Sequence, residues 1–288
     1  MKKVVVLGSI NVDTTLYVDE FPSKGETISG NSSEIDVGGK GFNQAIAIKK
    51  AGIPVSFISA VGSDSNGQLI CDTAKEYKLT SYFHKTDVQT GTAYILVNKN
   101  SENKIVVIPG SNDYVRKETI NKYFLDEADI IVLQNEIPME TNEYVFSNYK
   151  HKTIVYNPSP LKPLKEEYYS SISYLIVNEH EVSYFGKGKD YLSQGRDILS
   201  KGVKNVIITL GENGSVLMSN SNNIKVNAIK VKAIDTVAAG DTYLGYFVSG
   251  LANGLDEAHA MMLASKASAI TVTRKGAIKA IPSIEEIK

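Results

Sequence analysis

The chain has 288 residues, 42% of them hydrophobic, enough for a substantial core in one large α/β domain or two smaller ones. Its 31 basic and 32 acidic residues leave a formal net charge of −1 and form no long block, which argues against a nucleic-acid partner or a membrane surface. The longest apolar runs are strand-sized, a lone Cys71 leaves no internal disulfide and fits a reducing cytoplasm, and His84, His151, His180 and His259 lack zinc-ligand spacing.

Residues 3–8 read as a fully buried strand, and the apolar run after Met1-Lys2-Lys3 is too short for a signal peptide. Asn11 and Asp13 lie just past that strand's carboxyl end, where open α/β sheets bind ligands. Neither Gly-x-Gly-x-x-Gly nor a Walker-type phosphate loop occurs. Short strands are predicted at 15–19, 26–29 and 33–37, separated by turn residues such as Pro22, Gly25 and Gly30. Gly38-Gly39-Lys40-Gly41 opens a helix through about Ala51, followed by a strand at 55–61 and a helix over 63–77. Segments 91–98 and 104–108 read as a hairpin connected through residues 100–103. From residue 129 the pattern alternates. Strands are predicted at 129–134, 153–156, 173–177 and 205–209, and helices at about 139–149, 179–185, 190–201, 239–253 and 256–273. That alternation predicts a parallel sheet covered on both faces. The segments at about 14–37 and 91–109 do not fit it and read as a small β lid inserted into one α/β domain spanning 1–288.

The apolar segment from Ile229 to Ile234 runs into Asp235, a small-residue turn and Asp241, after which Tyr243, Leu244, Phe247, Val248 and Leu251 make one helical stripe. Asp241 therefore sits on the first turn of a helix whose start, Ala238-Ala239-Gly240, lets a phosphate approach free N–H groups. A carboxylate there repels phosphate, unless it takes a proton from the hydroxyl that attacks the phosphate. An acidic first turn that merely complements the helix dipole is the alternative. Gly39, Lys40 and Asn43 form a second glycine-rich helix start, which with Asn11 and Asp13 would suit a polyhydroxylated ligand. Asn178 and Glu181 could hold Mg²⁺ through water or form a capping box. Thr209-Leu210-Gly211-Glu212-Asn213-Gly214 follows another strand and reads as a turn or as one wall of a nucleotide cleft. Residues 271–277 read as ordinary helix-ending residues unless they touch the 235–237 turn.

Two motifs carry a resemblance: Gly38-Gly-Lys-Gly-Phe-Asn-Gln-Ala45 and Asp235-Thr-Val-Ala-Ala-Gly-Asp-Thr242, in that order. Around them stand Gly8-Ser-Ile-Asn-Val-Asp13, Phe21 to Thr27, Gln134-Asn-Glu136, Asn157-Pro-Ser-Pro160, Asn178-x-x-Glu181 and Val272 to Gly276. Over nearly its whole length the chain resembles the ribokinase family of PfkB-type sugar kinases. The resemblance implies a three-layer α/β/α sandwich with a mostly parallel sheet and a β lid. It implies transfer of the ATP γ-phosphoryl group to a sugar hydroxyl, O5 of ribose, with Asp241 as base and the N–H groups of Ala238, Ala239 and Gly240 as anion hole. Asn11, Asp13, Gly39, Lys40, Asn43 and Glu136 match sugar contacts. Asn178, Thr209 to Gly214, Gly240 and Ser265 match nucleotide contacts, and Glu181 matches the residue tied to Mg²⁺ through water. Asp235, Val237, Thr271, Arg274, Gly276 and Ala280 match the site of an activating K⁺. The family further implies a homodimer paired through the lids. Phe42, Ser265 and Ala280 depart from common family residues, which bears on pocket size, adenine contact and K⁺ activation. The alternatives are a family kinase for a nucleoside, fructose or another sugar, and a non-catalytic sugar- or nucleotide-binding regulator.

Overall fold

β1 (Val4–Leu7) lies inside the larger of two sheets with all four side chains buried. A strand covered on both faces needs an apolar residue at every position, and Val-Val-Val-Leu supplies them. Val4 and Val6 enter one core, Val5 and Leu7 the other. The computed structural model describes residues 1–100 and 102–287; Ser101, within the expected hairpin connection, and Lys288, at the end of the expected domain span, lie outside them.

After β1 come β2 (Asn11–Tyr17) and β3 (Ser32–Gly38), then α1 (Lys40–Lys50), β4 (Val55–Gly62), α2 (Ser65–Glu76) and β5 (Thr80–Thr86). A hairpin of β6 (Thr92–Val97) and β7 (Asn103–Ile108) follows, then α3 (Lys122–Glu127), β8 (Ile130–Gln134), α4 (Met139–Asn148), β9 (Thr153–Asn157) and β10 (Tyr174–Asn178). The last third holds α5 (Val182–Phe185), α6 (Tyr191–Ser200), β11 (Asn205–Thr209), β12 (Ser215–Ser219), β13 (Asn223–Val226), α7 (Ala239–Ala252) and α8 (Glu257–Thr271). The larger sheet has the order β13-β12-β11-β10-β9-β8-β1-β4-β5, parallel from β11 through β5 and antiparallel at β12 and β13. Residues of α1, α2, α7 and α8 share one core with it, and residues of α3 to α6 share the other, so the larger sheet is the middle of three layers. The smaller sheet has the order β3-β2-β6-β7 and grows directly from the carboxyl end of β1.

Several expectations need correction. Residues 26–29 are not a strand: they are mostly exposed and nothing pairs with them, while β2 already begins at Asn11. The helix expected over 179–185 is reduced to α5, because residues 178–181 are bent into their own capping turn. β5, β12 and β13 were not expected. β5 and β13 are the edge strands, β5 carrying Thr, Ser, His and Lys, and β12 is a buried antiparallel strand between β11 and β13. The apolar segment before Asp235 lies on the surface, with Ile229, Val231 and Ile234 exposed. Among the described residues no helix is long and apolar enough to cross a membrane.

Candidate active site

The strand order changes direction at β1, with β4 and β5 on one side and β8 through β13 on the other. Such a switch point opens a crevice beyond the carboxyl ends of the two central strands. Ser9 follows β1, Glu136 follows β8, and they meet there. Ser9 Oγ donates to Glu136 Oε2 at 2.5 Å, and the N–H of Lys40, first in α1, donates to the same oxygen at 3.0 Å. An N–H at a helix start has no intrahelical partner, so the carboxylate supplies one. Gly39 makes the approach possible: its φ is 91°, and a Cβ would come within 2.9 Å of Ile10 Cα.

Asn112 fixes the corner from β1 into β2. Its Oδ1 accepts the Ile10 N–H at 2.9 Å, and its Nδ2 donates to Ile10 O at 3.0 Å and to Asn11 Oδ1 at 2.8 Å. Asp13 follows on β2. Burial, then the charges of Glu136 and Asp36, push its carboxyl up to about 7. Burial pulls the half-buried Lys40 ammonium down, but the carboxylates of Asp241, Glu136 and Glu181 outweigh it and leave the pKa raised.

Asp241 enters from the opposite side on the first turn of α7, with only 7% of its surface exposed. Ala238 turns the chain into that helix in the left-handed conformation, at φ 58°. Asn43 Nδ2 donates to Asp241 Oδ2 at 3.0 Å, and Gln44 Nε2 donates to Oδ1 at 2.9 Å. Asn43 Oδ1 is buried without a partner. The N–H of Ala239 is turned to Thr236 O at 3.2 Å, so it is not free in this arrangement. Those of Ala238, Gly240 and Asp241 have no acceptor among the described residues, and no heavy atom lies within 4 Å of the place a Gly240 Cβ would take. A carboxylate and free donors thus share one helical turn, open on the Gly240 side.

Asn178 and Thr209 end neighbouring strands in register. Asn178 Oδ1 accepts the N–H groups of His180 and Glu181 at 2.9 and 2.8 Å, and Glu181 Oε2 accepts the Asn178 N–H at 3.0 Å. The capping arrangement is therefore present, and it occupies one oxygen of Glu181. Leu210 N–H closes onto Gly214 O at 2.8 Å, leaving Gly211, Glu212 and Asn213 exposed in the turn between. Ser265 is half-buried on α8, one turn before Ser268, whose Oγ donates to Ala239 O at 3.0 Å.

The loop after α8 does touch the 235–237 turn. Asp235 Oδ1 accepts Val237 N–H and Oδ2 accepts Gly276 N–H, both at 3.0 Å, and Val272 O accepts the N–H groups of Ile234 and Asp235. Thr271 is buried with its Oγ1 on Thr242 Oγ1 at 3.2 Å, Ala280 is buried, and Arg274 reaches Glu286 at 2.6 Å. Phe42 points away from the crevice. It is fully buried and packs on Phe57 with ring centres 5.7 Å apart, so it fills core and does not narrow a sugar pocket.

Sequence reasoning missed Asn112, Gln44 and Gln134. Gln134 Nε2 donates to Gln44 Oε1 at 2.6 Å, and no local pattern distinguishes such buried glutamines from surface ones. A cavity of about 450 Å³ at the amino end of the sheet, between Lys2, Lys49 and Phe124, contains none of these residues.

Comparison with known proteins shows the family and the fold. The sequence model of the pfkB family carbohydrate kinases matches residues 1–284. The ribokinase of Staphylococcus aureus (strain COL) is 37% identical, over 99% of this chain and 98% of its own. The crystal structure of ribokinase from Thermotoga maritima superposes with a TM-score of 0.95 at 34% identity, covering 100% of this chain and 98% of that one. The Arabidopsis thaliana ribokinase complexed with ribose and ATP superposes with a TM-score of 0.92 at 27% identity, covering 99% and 97%. The chain belongs to the pfkB family of carbohydrate kinases.

Proposed function

We propose that this protein transfers the γ-phosphoryl group of ATP to the O5 hydroxyl of ribose, giving ribose 5-phosphate. The observation that carries the reading is the turn at 238–241: a buried carboxylate hydrogen-bonded to Asn43, beside N–H groups with no acceptor of their own. Asp241 takes the hydroxyl proton as the oxygen attacks phosphorus. The free N–H groups of the turn carry the charge on the transferring group, because phosphoryl transfer depends on position and charge stabilisation. Asn11, Asp13, Gly39, Lys40, Asn43 and Glu136 hold the sugar at the crevice. Asn178, Thr209 to Gly214, Gly240 and Ser265 line the nucleotide's place. The relative solved with both ribose and ATP supports this pairing of ligands.

Two ions fit the donors present. Among the described residues no group of three or more His, Cys, Asp or Glu could hold a metal. Mg²⁺ would therefore be held largely by phosphate and water, with Glu181's second oxygen reaching it through water. Bound there it neutralises phosphate charge. The loops at 235–237 and 271–280 are joined through Asp235, whose two oxygens accept the N–H groups of Val237 and Gly276, so K⁺ would be held there chiefly by backbone carbonyls. Asp235, Val237, Thr271, Arg274, Gly276 and Ala280 are its proposed surround.

The chain acts as one domain over 1–288, with the smaller sheet, formed from about 14–37 and 91–109, as a lid over the sugar. Ile35, Tyr94 and Val106 stand in one row across that sheet and are exposed, which suits pairing with a second copy. Its place of work is the cytoplasm, where ATP and reduced thiols such as half-buried Cys71 are kept.

The test is ATP-to-ADP turnover with Mg²⁺ and K⁺ over ribose, 2-deoxyribose, fructose, adenosine, inosine and a no-sugar blank. Preference for ribose is expected. Preference for a nucleoside or fructose would reassign the substrate and keep the machinery, and ATP binding without any turnover would point to a regulator.

A further inference from the structure

We propose that Gln44 and Gln134 are positioning residues that determine which oxygen of Asp241 receives the substrate proton. The proposal rests on the reading of Asp241 as the base. Asp241 presents two oxygens with unequal surroundings. Oδ2 accepts from Asn43, a residue at the crevice that still has a free acceptor, and Oδ1 accepts from Gln44, which is fully buried.

A glutamine amide can be turned either way, and with Oε1 facing Asp241 two acceptors would meet. The acceptor-only carboxylate selects against that orientation, and Gln134 supports the one it selects. Gln134 Nε2 donates to Gln44 Oε1 at 2.6 Å, which leaves the Nε2 of Gln44 for Asp241. The backbone of Gln134 is held at the end of β8, where its O accepts Asn142 Nδ2 of α4 at 2.7 Å. A line of donors therefore runs from β8 through α1 to the first turn of α7, joining elements far apart in the chain. It also has a cost, since Gln134 Oε1 is buried without a partner against Gly8. A partly satisfied buried polar pair stabilises less than apolar side chains of the same size, so orientation is what it provides. With Oδ1 held by Gln44 as well as Oδ2 by Asn43, the carboxylate keeps one orientation, with Oδ2 toward the hydroxyl. Loss of the tether spreads the carboxylate over unproductive orientations, which lowers turnover and leaves ground-state binding intact.

The experiment measures kcat, both KM values and Tm for Gln44→Met and Gln134→Met, each alone, together, and in an Asp241→Asn background. Each single variant is expected to lower kcat about 10- to 100-fold with both KM values within about threefold. The pair should lose no more than Gln44→Met alone, and neither should lower the residual kcat of Asp241→Asn by more than about twofold, because residues that act through one group are not additive. Unchanged kcat in both single variants would overturn the proposal. So would the same loss repeated on top of Asp241→Asn, which marks a general disturbance of the fold. Should Gln44→Met fail to fold, Gln134→Met, one bond removed from the base, decides by the same two criteria. Full turnover by Asp241→Asn alone would instead overturn the reading of the base on which the proposal stands.

Discussion

Asn43 Nδ2 and Asp241 Oδ2 are 3.0 Å apart, joining the glycine-rich start of α1 to the first turn of α7 across 198 positions of sequence. The contact places an amide that suits a sugar hydroxyl on the same oxygen that suits its proton. Asn43→Ala is expected to lower kcat/KM for ribose about 10- to 100-fold with KM for ATP within about threefold, the loss of one or two buried hydrogen bonds. Steady-state kinetics against each substrate checks it. A matching loss in ATP affinity would contradict the placement.

Asp13 gives the pH dependence a sign. Its carboxyl is raised to about 7 from an ordinary 3.8, by burial first and then by Glu136 and Asp36. Sugar hydroxyls donate to the ionised form, so KM for ribose is expected to rise as pH falls below about 7, and Asp13→Asn should abolish that dependence. Stability has the opposite slope. The folded state binds the extra proton between pH 3.8 and about 7, so this group's favourable contribution is complete below that window and lost as pH rises through it. Melting curves of the wild type and Asp13→Asn from pH 5 to 8 check it: the variant should show the smaller fall.

Lys279 is paired with Asp36, which lies directly opposite Asp13 in the β2–β3 register. The pair joins the loop that holds Asp235 to the smaller sheet, and it offsets one of two facing carboxylates. Partly exposed pairs contribute little, so Lys279→Gln is expected to raise KM for ribose only about two- to fivefold at pH 7. Asp36→Asn in the same chain should restore it. An unchanged KM in Lys279→Gln would contradict the coupling.

Phe42→Ala is expected to cost about 3–5 kcal/mol of stability, as loss of a fully buried phenyl does, and to leave the ranking of sugars unchanged. Chemical denaturation and the sugar panel check the two halves. A changed ranking at unchanged stability would return Phe42 to the pocket.

Much of this architecture could be read from the chain. The continuous Val and Ile runs of β1, β8 and β11 announced buried parallel strands, and the ends of the long helices were predicted to within a couple of residues, because both patterns are local. β5 and β13 escaped because edge strands tolerate polar residues and need no second buried face. β12 is buried on both faces, and only its apolar Val216-Leu217-Met218 run, short and outside the strand–helix alternation, could have shown it. At the site, Asp241 and Asn43 stood out through the glycines beside them. Gln44, Gln134 and Asn112 did not, since their partners lie 90 to 197 positions away and a buried amide has no local signature. Phe42 showed the opposite failure: its neighbours in sequence face the crevice, and helical geometry turns it into the core.

The most direct test of the account is to compare kcat and ATP affinity in Asp241→Asn. With Asp241 as the general base, its replacement by Asn should lower kcat by about 100- to 10,000-fold, with ATP binding by calorimetry close to that of the wild type. Equal losses of ATP affinity and turnover would contradict it, and would leave Asp241 as an acidic first-turn residue of α7 with no part in proton transfer.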